Sequence, residues 1–201
     1  MRKLIVGIVT VFLLVGCSST ATVKESSTEE ETKKITITNN APLVATKASM
    51  SDYKWIGNEV GDFEETSLKE TIRLFDEKGS GVVYYGYVGC PWCERAVVEL
   101  NKVMLKYDVP AYYVDAAVSP NHDDYLNLTN NFGDILDTDE ETGEKEMYVP
   151  FVVGIKNGKV VGYHVALVDG FEIQSEESQM SDAQKEELQK IYEDIYLKVA
   201  D

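Results

Sequence analysis

Four residues, Cys90-Pro91-Trp92-Cys93, stand between two apolar patterns of different period. Before them, Val82-Val83-Tyr84-Tyr85-Gly86-Tyr87 is a β-branched and aromatic run that reads as a buried strand. After them, Val97, Leu100, Met104 and Tyr107 recur every three or four residues and mark one face of a helix. A cysteine pair at such a junction has its geometry set by the chain, which leaves a sheet and enters a helix at the thiols. Pro91 fits the first helical turn, where a missing N–H costs nothing. The unpaired N–H groups and partial positive charge of the helix end favour a thiolate at Cys90. The thiolate, not the thiol, attacks a disulfide. Cys93, along the helix and pointing into the protein, takes the shielded, resolving role. Trp92 between them is placed to shield the bond or to offer substrates an apolar surface.

The remaining folded region is expected over residues 52–201. Ser67-Leu68-Lys69-Glu70 has the capping-box form, and Leu68, Ile72 and Phe75 follow at helical spacing until Lys78-Gly79. Ala111–Asp115 reads as a strand, 123–132 as a short polar helix and 133–146 as an acidic loop. Pro150 opens the run Phe151–Ile155, Asn157-Gly158 supplies a hairpin turn, and Val160–Tyr163 returns. Ser181 caps a last helix with Leu188, Ile191, Ile195 and Val199 on one face. Alternating helices and strands followed by a hairpin predict an α/β fold with one antiparallel sheet edge.

The third cysteine belongs to the N-terminus. Arg2 and Lys3 precede an apolar run from Leu4 to Val15, too short to span a bilayer and suited to a secretory signal. Residues 17–51 begin with a long stretch rich in Ser, Thr, Glu and Lys that cannot bury enough surface to offset chain entropy. They read as a flexible linker with a reach on the order of 30 Å. The short alternation Ile35-Thr36-Ile37-Thr38 has no evident neighbour and is placed in the linker. The 201-residue chain carries 35 acidic and 19 basic side chains, a net charge of −16. No basic stripe is available for phosphates, so nucleic acid is excluded as a partner. Charge alone would not hold it on anionic lipid either.

The order strand, CPWC, helix, strand, helix, Val149-Pro150 before a hairpin, and a final helix resembles the thioredoxin-like superfamily over roughly residues 65–200. The resemblance implies a central mixed sheet flanked by helices and a redox-active Cys90–Cys93 disulfide with no other cofactor. It also implies a cis Pro150 beside the cysteines, with Val149 offering backbone groups to an incoming peptide. Leu14-Val15-Gly16-Cys17 resembles the lipobox of bacterial lipoproteins, which implies signal cleavage after residue 16 and lipidation at Cys17. Together these features are similar to exported thioredoxin-like lipoproteins and bacteriocin-transport accessory proteins of Gram-positive bacteria. The expectation is an extracytoplasmic, lipid-anchored thiol–disulfide oxidoreductase that acts on protein thiols or disulfides and exchanges electrons with a membrane redox partner. The chain departs from the thioredoxin pattern where Tyr84 replaces a buried acid, leaving Glu94, Asp115 or water to move the proton of Cys93. A glutathione-binding Gly-Gly and Asp set is not evident around Gly162–Val165, and the surplus between Cys93 and Pro150 lies in 119–147.

Other readings of the same residues remain. A CxxC pair is half of a zinc site, but His122 and His164 do not stand at the usual spacings, so no metal is expected. A surface lipoprotein that uses the fold for binding, with a structural or vestigial cysteine pair, is the alternative function. His164 reads as a satisfied core or edge residue, the acidic loop as a solvated charge run, and the strand tyrosines as core.

Overall fold

In the computed structural model, which describes residues 33–201, a six-stranded sheet separates two layers of helices. The chain runs through β1 (Thr46–Lys47), β2 (Phe63–Glu65), α1 (Leu68–Asp76), β3 (Gly81–Gly86), α2 (Cys93–Tyr107) and β4 (Ala111–Asp115). It continues through α3 (His122–Phe132), β5 (Asp137–Thr138), β6 (Lys145–Glu146), β7 (Phe151–Lys156), β8 (Lys159–Val165) and α4 (Asp182–Val199). The sheet order is β1-β2-β4-β3-β7-β8, with β2, β4 and β3 parallel and β1, β7 and β8 antiparallel to their neighbours. Parallel strands joined by helical crossovers, closed by an antiparallel hairpin and a last helix, make this a thioredoxin-like α/β fold.

Local chemistry explains the element ends. Ser67 accepts the N–H of Glu70 at 3.2 Å and starts α1, Ser181 and Gln184 form a full capping box on α4, and Asp108 ends α2 with φ 52°. Strand alternation divides the buried residues of β3 between two cores. Val82 and Tyr84 face Leu100, Met104, Leu188 and Tyr192 of α2 and α4, while Val83 and Tyr85 face Leu74, Leu128, Phe132 and Phe151. At Gly154 of β7 a Cβ would lie 2.7 Å from Val199 and 2.8 Å from Ile195, so α4 sits directly on the strand.

Three features differ from expectation. The sheet has antiparallel pairing at both edges, because β1 and β2 extend it beyond β4. Neither strand is visible as a pattern, since two or three charged and apolar residues form them only by pairing, Phe63 with Ala111 and Glu65 with Tyr113. Residues 33–51 are also not a free linker. Lys33 and Ile35 donate to the carbonyls of Lys106 and Tyr107 at 2.9 and 3.3 Å, and Asp201 donates to Thr36 O at 3.1 Å. Asn39 Oδ1 takes the amides of Ala41 and Ser80, both at 3.0 Å, and Ala41, Ala48 and Met50 are buried. The Ile35–Thr38 alternation does have a neighbour, with Ile35 and Ile37 packed on the core. A few spaced apolar anchors thus hold a polar segment as a strap along the domain. The expected signal peptide (1–16), the expected lipidation site Cys17 and the expected linker up to residue 32 lie outside the described residues. Finally, the acidic segment 133–146 contains a 3₁₀ turn (Gly133–Ile135) and the β5–β6 hairpin. Asp139 holds the hairpin bend by accepting the amides of Glu141 and Thr142 at 2.9 and 2.6 Å.

Candidate active site

β3 ends at Gly86, and Tyr87-Val88-Gly89 turns the chain toward α2 with Gly89 at φ 87°. Cys90 and Cys93 are joined as a disulfide with their Cα atoms 5.1 Å apart. The Cys93 N–H donates to Cys90 Sγ at 3.2 Å, and the Glu94 N–H donates to Cys90 O at 2.9 Å. The helix end therefore aims an amide at the Cys90 sulfur, the arrangement that favours a thiolate there once the bond is reduced. Cys93 is fully buried, whereas Cys90 keeps 4% of its surface. Pro91 is exposed, and Trp92, 37% exposed, meets the ring of Phe171 edge-on at 6.4 Å.

Two charged residues directly after the motif hold its surroundings. Glu94 accepts the amides of Lys54 at 2.5 Å and Gly89 at 2.8 Å, tying the turn that follows the strap to the turn before Cys90. Arg95, 2% exposed, donates to the carbonyls of Pro91, Glu176 and Ser178, the last two at 2.8 and 2.6 Å. Its guanidinium also lies 4.6 Å from the Trp55 ring. One buried cation thus fastens the CPWC turn to the 176–178 segment and to Trp55 after the strap.

Below Cys93 is a set of phenols. Tyr84 Oη donates to Cys93 O at 3.3 Å, its ring stacks on Tyr113 at 5.8 Å, and Tyr53 Oη donates to Tyr113 Oη at 3.4 Å. Burial pushes the Tyr84 and Tyr53 hydroxyls well above the usual tyrosine range, and Tyr113 up to about 12. All three are therefore neutral phenols at physiological pH. Gly86 makes room for this: a Cβ there would collide with the Tyr84 phenol oxygen and ring. Of the proton-transfer candidates, Glu94 stands close enough to Tyr84 to raise its hydroxyl further. Asp115 instead turns to its own loop and accepts the Ala117 amide at 2.9 Å.

The Val149–Pro150 peptide is cis. Antiparallel pairing of β3 with β7 ends at Tyr85 and Phe151, so Val149 and Pro150 precede β7 at the end of the sheet where β3 leaves for Cys90. Val149 is half-buried and packs against both cores, one of which contains the two cysteines. Neither histidine shows a ligand arrangement. His122 is exposed, 3.5 Å from Glu144, and His164 lies edge-on to Tyr192 at 6.1 Å. Among the described residues, no group of three or more His, Cys, Asp or Glu side chains is placed to hold a metal ion.

Sheet order, a disulfide-bonded cysteine pair at the head of α2 and a cis proline before β7 define a domain of thioredoxin-like fold. No family model matches the chain, and no curated protein does. Among solved structures the chain is similar to the short form of thioredoxin F from spinach chloroplast, with 18% identity and a TM-score of 0.35. That match covers 55% of this chain and 86% of the other.

The sequence pointed to Cys90, Cys93, Pro91, Trp92, Val149 and Pro150, and the sheet places them at one end of the domain. It did not point to Arg95, Tyr53, Trp55 or Phe171. The available signal was Glu94-Arg95 beginning a helix whose opposite faces are both covered, but only the fold reveals the covering segments.

Proposed function

We propose that the protein is an extracytoplasmic, membrane-anchored thiol–disulfide oxidoreductase that acts on protein thiols and disulfides through Cys90 and Cys93. The observation that carries this reading is the amide of Cys93 directed at the more accessible Cys90 sulfur, with its mate buried one turn inward. In the oxidised form a substrate thiolate attacks Cys90 Sγ, a substrate–Cys90 disulfide forms, and the Cys90–Cys93 bond breaks with its electron pair on Cys93. A second substrate thiolate then attacks the mixed disulfide, closing the substrate disulfide and releasing Cys90 as a thiolate. The substrate loses two electrons and the cysteine pair gains them; the reverse sequence reduces a substrate disulfide. Val149 and Pro150 form the adjoining substrate edge. The signal-like residues 1–16 and the lipobox-like end at Cys17 support export, acyl anchoring and a membrane redox partner.

One observation favours the second reading, a lipid-anchored binding module with a structural disulfide: Cys90 is only 4% exposed and its two neighbours, Gly89 and Pro91, are held by Glu94 and Arg95. Alkylation separates the two. In the reduced protein at neutral pH, Cys90 should be modified selectively while Cys93 is protected, and Cys93→Ala should accumulate mixed disulfides with partner proteins. Sluggish reaction at both thiols with no trapped partner would favour the binding module. Mass spectrometry of the membrane fraction should find a diacylated Cys17 at the mature N-terminus; an unmodified cysteine there removes the anchoring half of the proposal.

A further inference from the structure

On the α1–α3 face, a cavity of about 910 Å³ opens at the same end of the sheet as the CPWC turn. Its lining includes Tyr85 and Val114 of the central strands and Val149, which also packs on the core that holds the cysteines. The strap supplies part of the lining at Val44 and Ala45, so this space depends on the strap being in place. Its size falls within the roughly 300–1,000 Å³ of built ligand sites. Two aliphatic side chains are held out at its mouth, Val44 at 72% and Val118 at 67% exposure.

The charge around this apolar space is predominantly negative. Glu65, Glu70, Asp115 and Asp124 line it against a single cation, Lys69. Arg73 neutralises Glu70 at 2.8 Å, but no ion pair is found at Glu65, Asp115 or Asp124 among the described residues. The whole chain, at −16, adds to the same field and repels acidic polypeptides from a distance.

We propose that this cavity is a specificity subsite: it takes a bulky aliphatic side chain of a cationic polypeptide whose cysteine is engaged at Cys90. The proposal rests on the oxidoreductase reading and names its substrate class. An extended chain advances about 3.3–3.6 Å per residue, and the subsite would take a side chain a few positions from the reacting cysteine, beyond Val149. Apolar walls supply affinity for the side chain, and the acidic mouth selects the charge of its flanks.

The test compares three peptide disulfides on the full-length protein: a leucine flanked by lysines, the same leucine flanked by glutamates, and an alanine flanked by lysines. Exchange is followed as kcat/KM at low salt, and cysteine-free versions are titrated by fluorescence anisotropy. The lysine–leucine peptide should exceed the alanine peptide by on the order of tenfold. It should exceed the glutamate peptide by about fivefold or more, a margin that shrinks as salt rises. Combining Glu65→Gln with Asp124→Asn, both mild changes at the mouth, should bring the charge preference toward one. Equal rates on all three peptides, or a charge preference that the double variant leaves unmoved, overturn the subsite. Exchange without preference removes the subsite and keeps the oxidoreductase. Binding of the cysteine-free leucine peptide with no exchange removes the oxidoreductase and keeps the cavity as a binding site.

Discussion

The two faces of the sheet are built from different aromatic chemistry. Facing α2 and α4, most of the large rings are tyrosines, with Phe63 edge-on to Tyr84 at 6.5 Å, and Tyr84, Tyr192 and Tyr196 are buried in the same core as the cysteine pair. Facing α1 and α3, Phe132 meets Phe75 at 5.6 Å and Phe151 at 5.2 Å, and Tyr85 stacks on Phe151 at 5.8 Å. The phenylalanine face carries few hydroxyls: Tyr85 donates to Thr71 Oγ1 at 2.9 Å, and Tyr112 at its margin accepts from Asn39 at 3.0 Å. The tyrosine face carries hydroxyls that must be satisfied, and it spends one on the backbone of Cys93. One face is thus an adhesive core that opens into a cavity at its end, and the other is a polar-tipped support beneath the disulfide.

That division can be broken first where the packing is densest. Phe151→Ala, at a fully buried ring, should cost about 3–5 kcal/mol in urea unfolding. Its effect on Cys90 alkylation in the folded protein should be small. Arg95→Ala should cost less, about 2 kcal/mol, from lost charged hydrogen bonds to carbonyls. In the reduced protein, however, it should speed alkylation of Cys90 by freeing the 176–178 segment. If Phe151→Ala accelerates alkylation as much as Arg95→Ala does, the faces are not separable and the clasp has no special role.

A smaller and sharper pair lies in adjacent residues of β3. Tyr84→Phe and Tyr85→Phe each remove one hydroxyl, and each should cost about 1 kcal/mol. Only Tyr84→Phe touches the Cys93 turn, so only it should alter the pH dependence of exchange. A matching change in Tyr85→Phe would mean that the effect is general loosening.

What the sequence made legible was whatever local pattern determines. The β3–CPWC–α2 junction, the β7–β8 hairpin after Pro150 and the capped α4 all carry their period or cap in consecutive residues. Tyr84 also stood out, because it occupies the place of an acid in the thioredoxin pattern, and Gly86 two residues on makes its position possible. The strap and β2 were hidden for the opposite reason. Their order comes from partners far along the chain, such as Tyr107 O for Ile35 and Ala111 for Phe63. Arg95 illustrates the same limit at the site: its place on α2 is readable, but the carbonyls of Glu176 and Ser178 that bury it are not.

The smallest expected effect concerns His164, at the outer margin of the tyrosine face. Burial lowers its pKa from the ordinary 6.5, although Leu167 O and the carboxylates of Asp169 and Glu187 pull the other way. Its Nε2 is buried with no hydrogen-bond partner among the described residues. Above pH 6.5 the ring is neutral folded and unfolded, so it imposes no pH dependence. As pH falls below 6.5 the unfolded chain takes up a proton first, and stability declines until the folded pKa is reached. One such group sets a slope no steeper than about 1.4 kcal/mol per pH unit. His164→Phe keeps a ring against Tyr192 and removes that titration. Urea unfolding of both proteins from pH 8 to pH 5 should show a stability difference that is constant above neutrality and moves in favour of the variant below it. Parallel profiles would place the histidine in water in both states, and the tyrosine face would then be more open at its edge than its packing indicates.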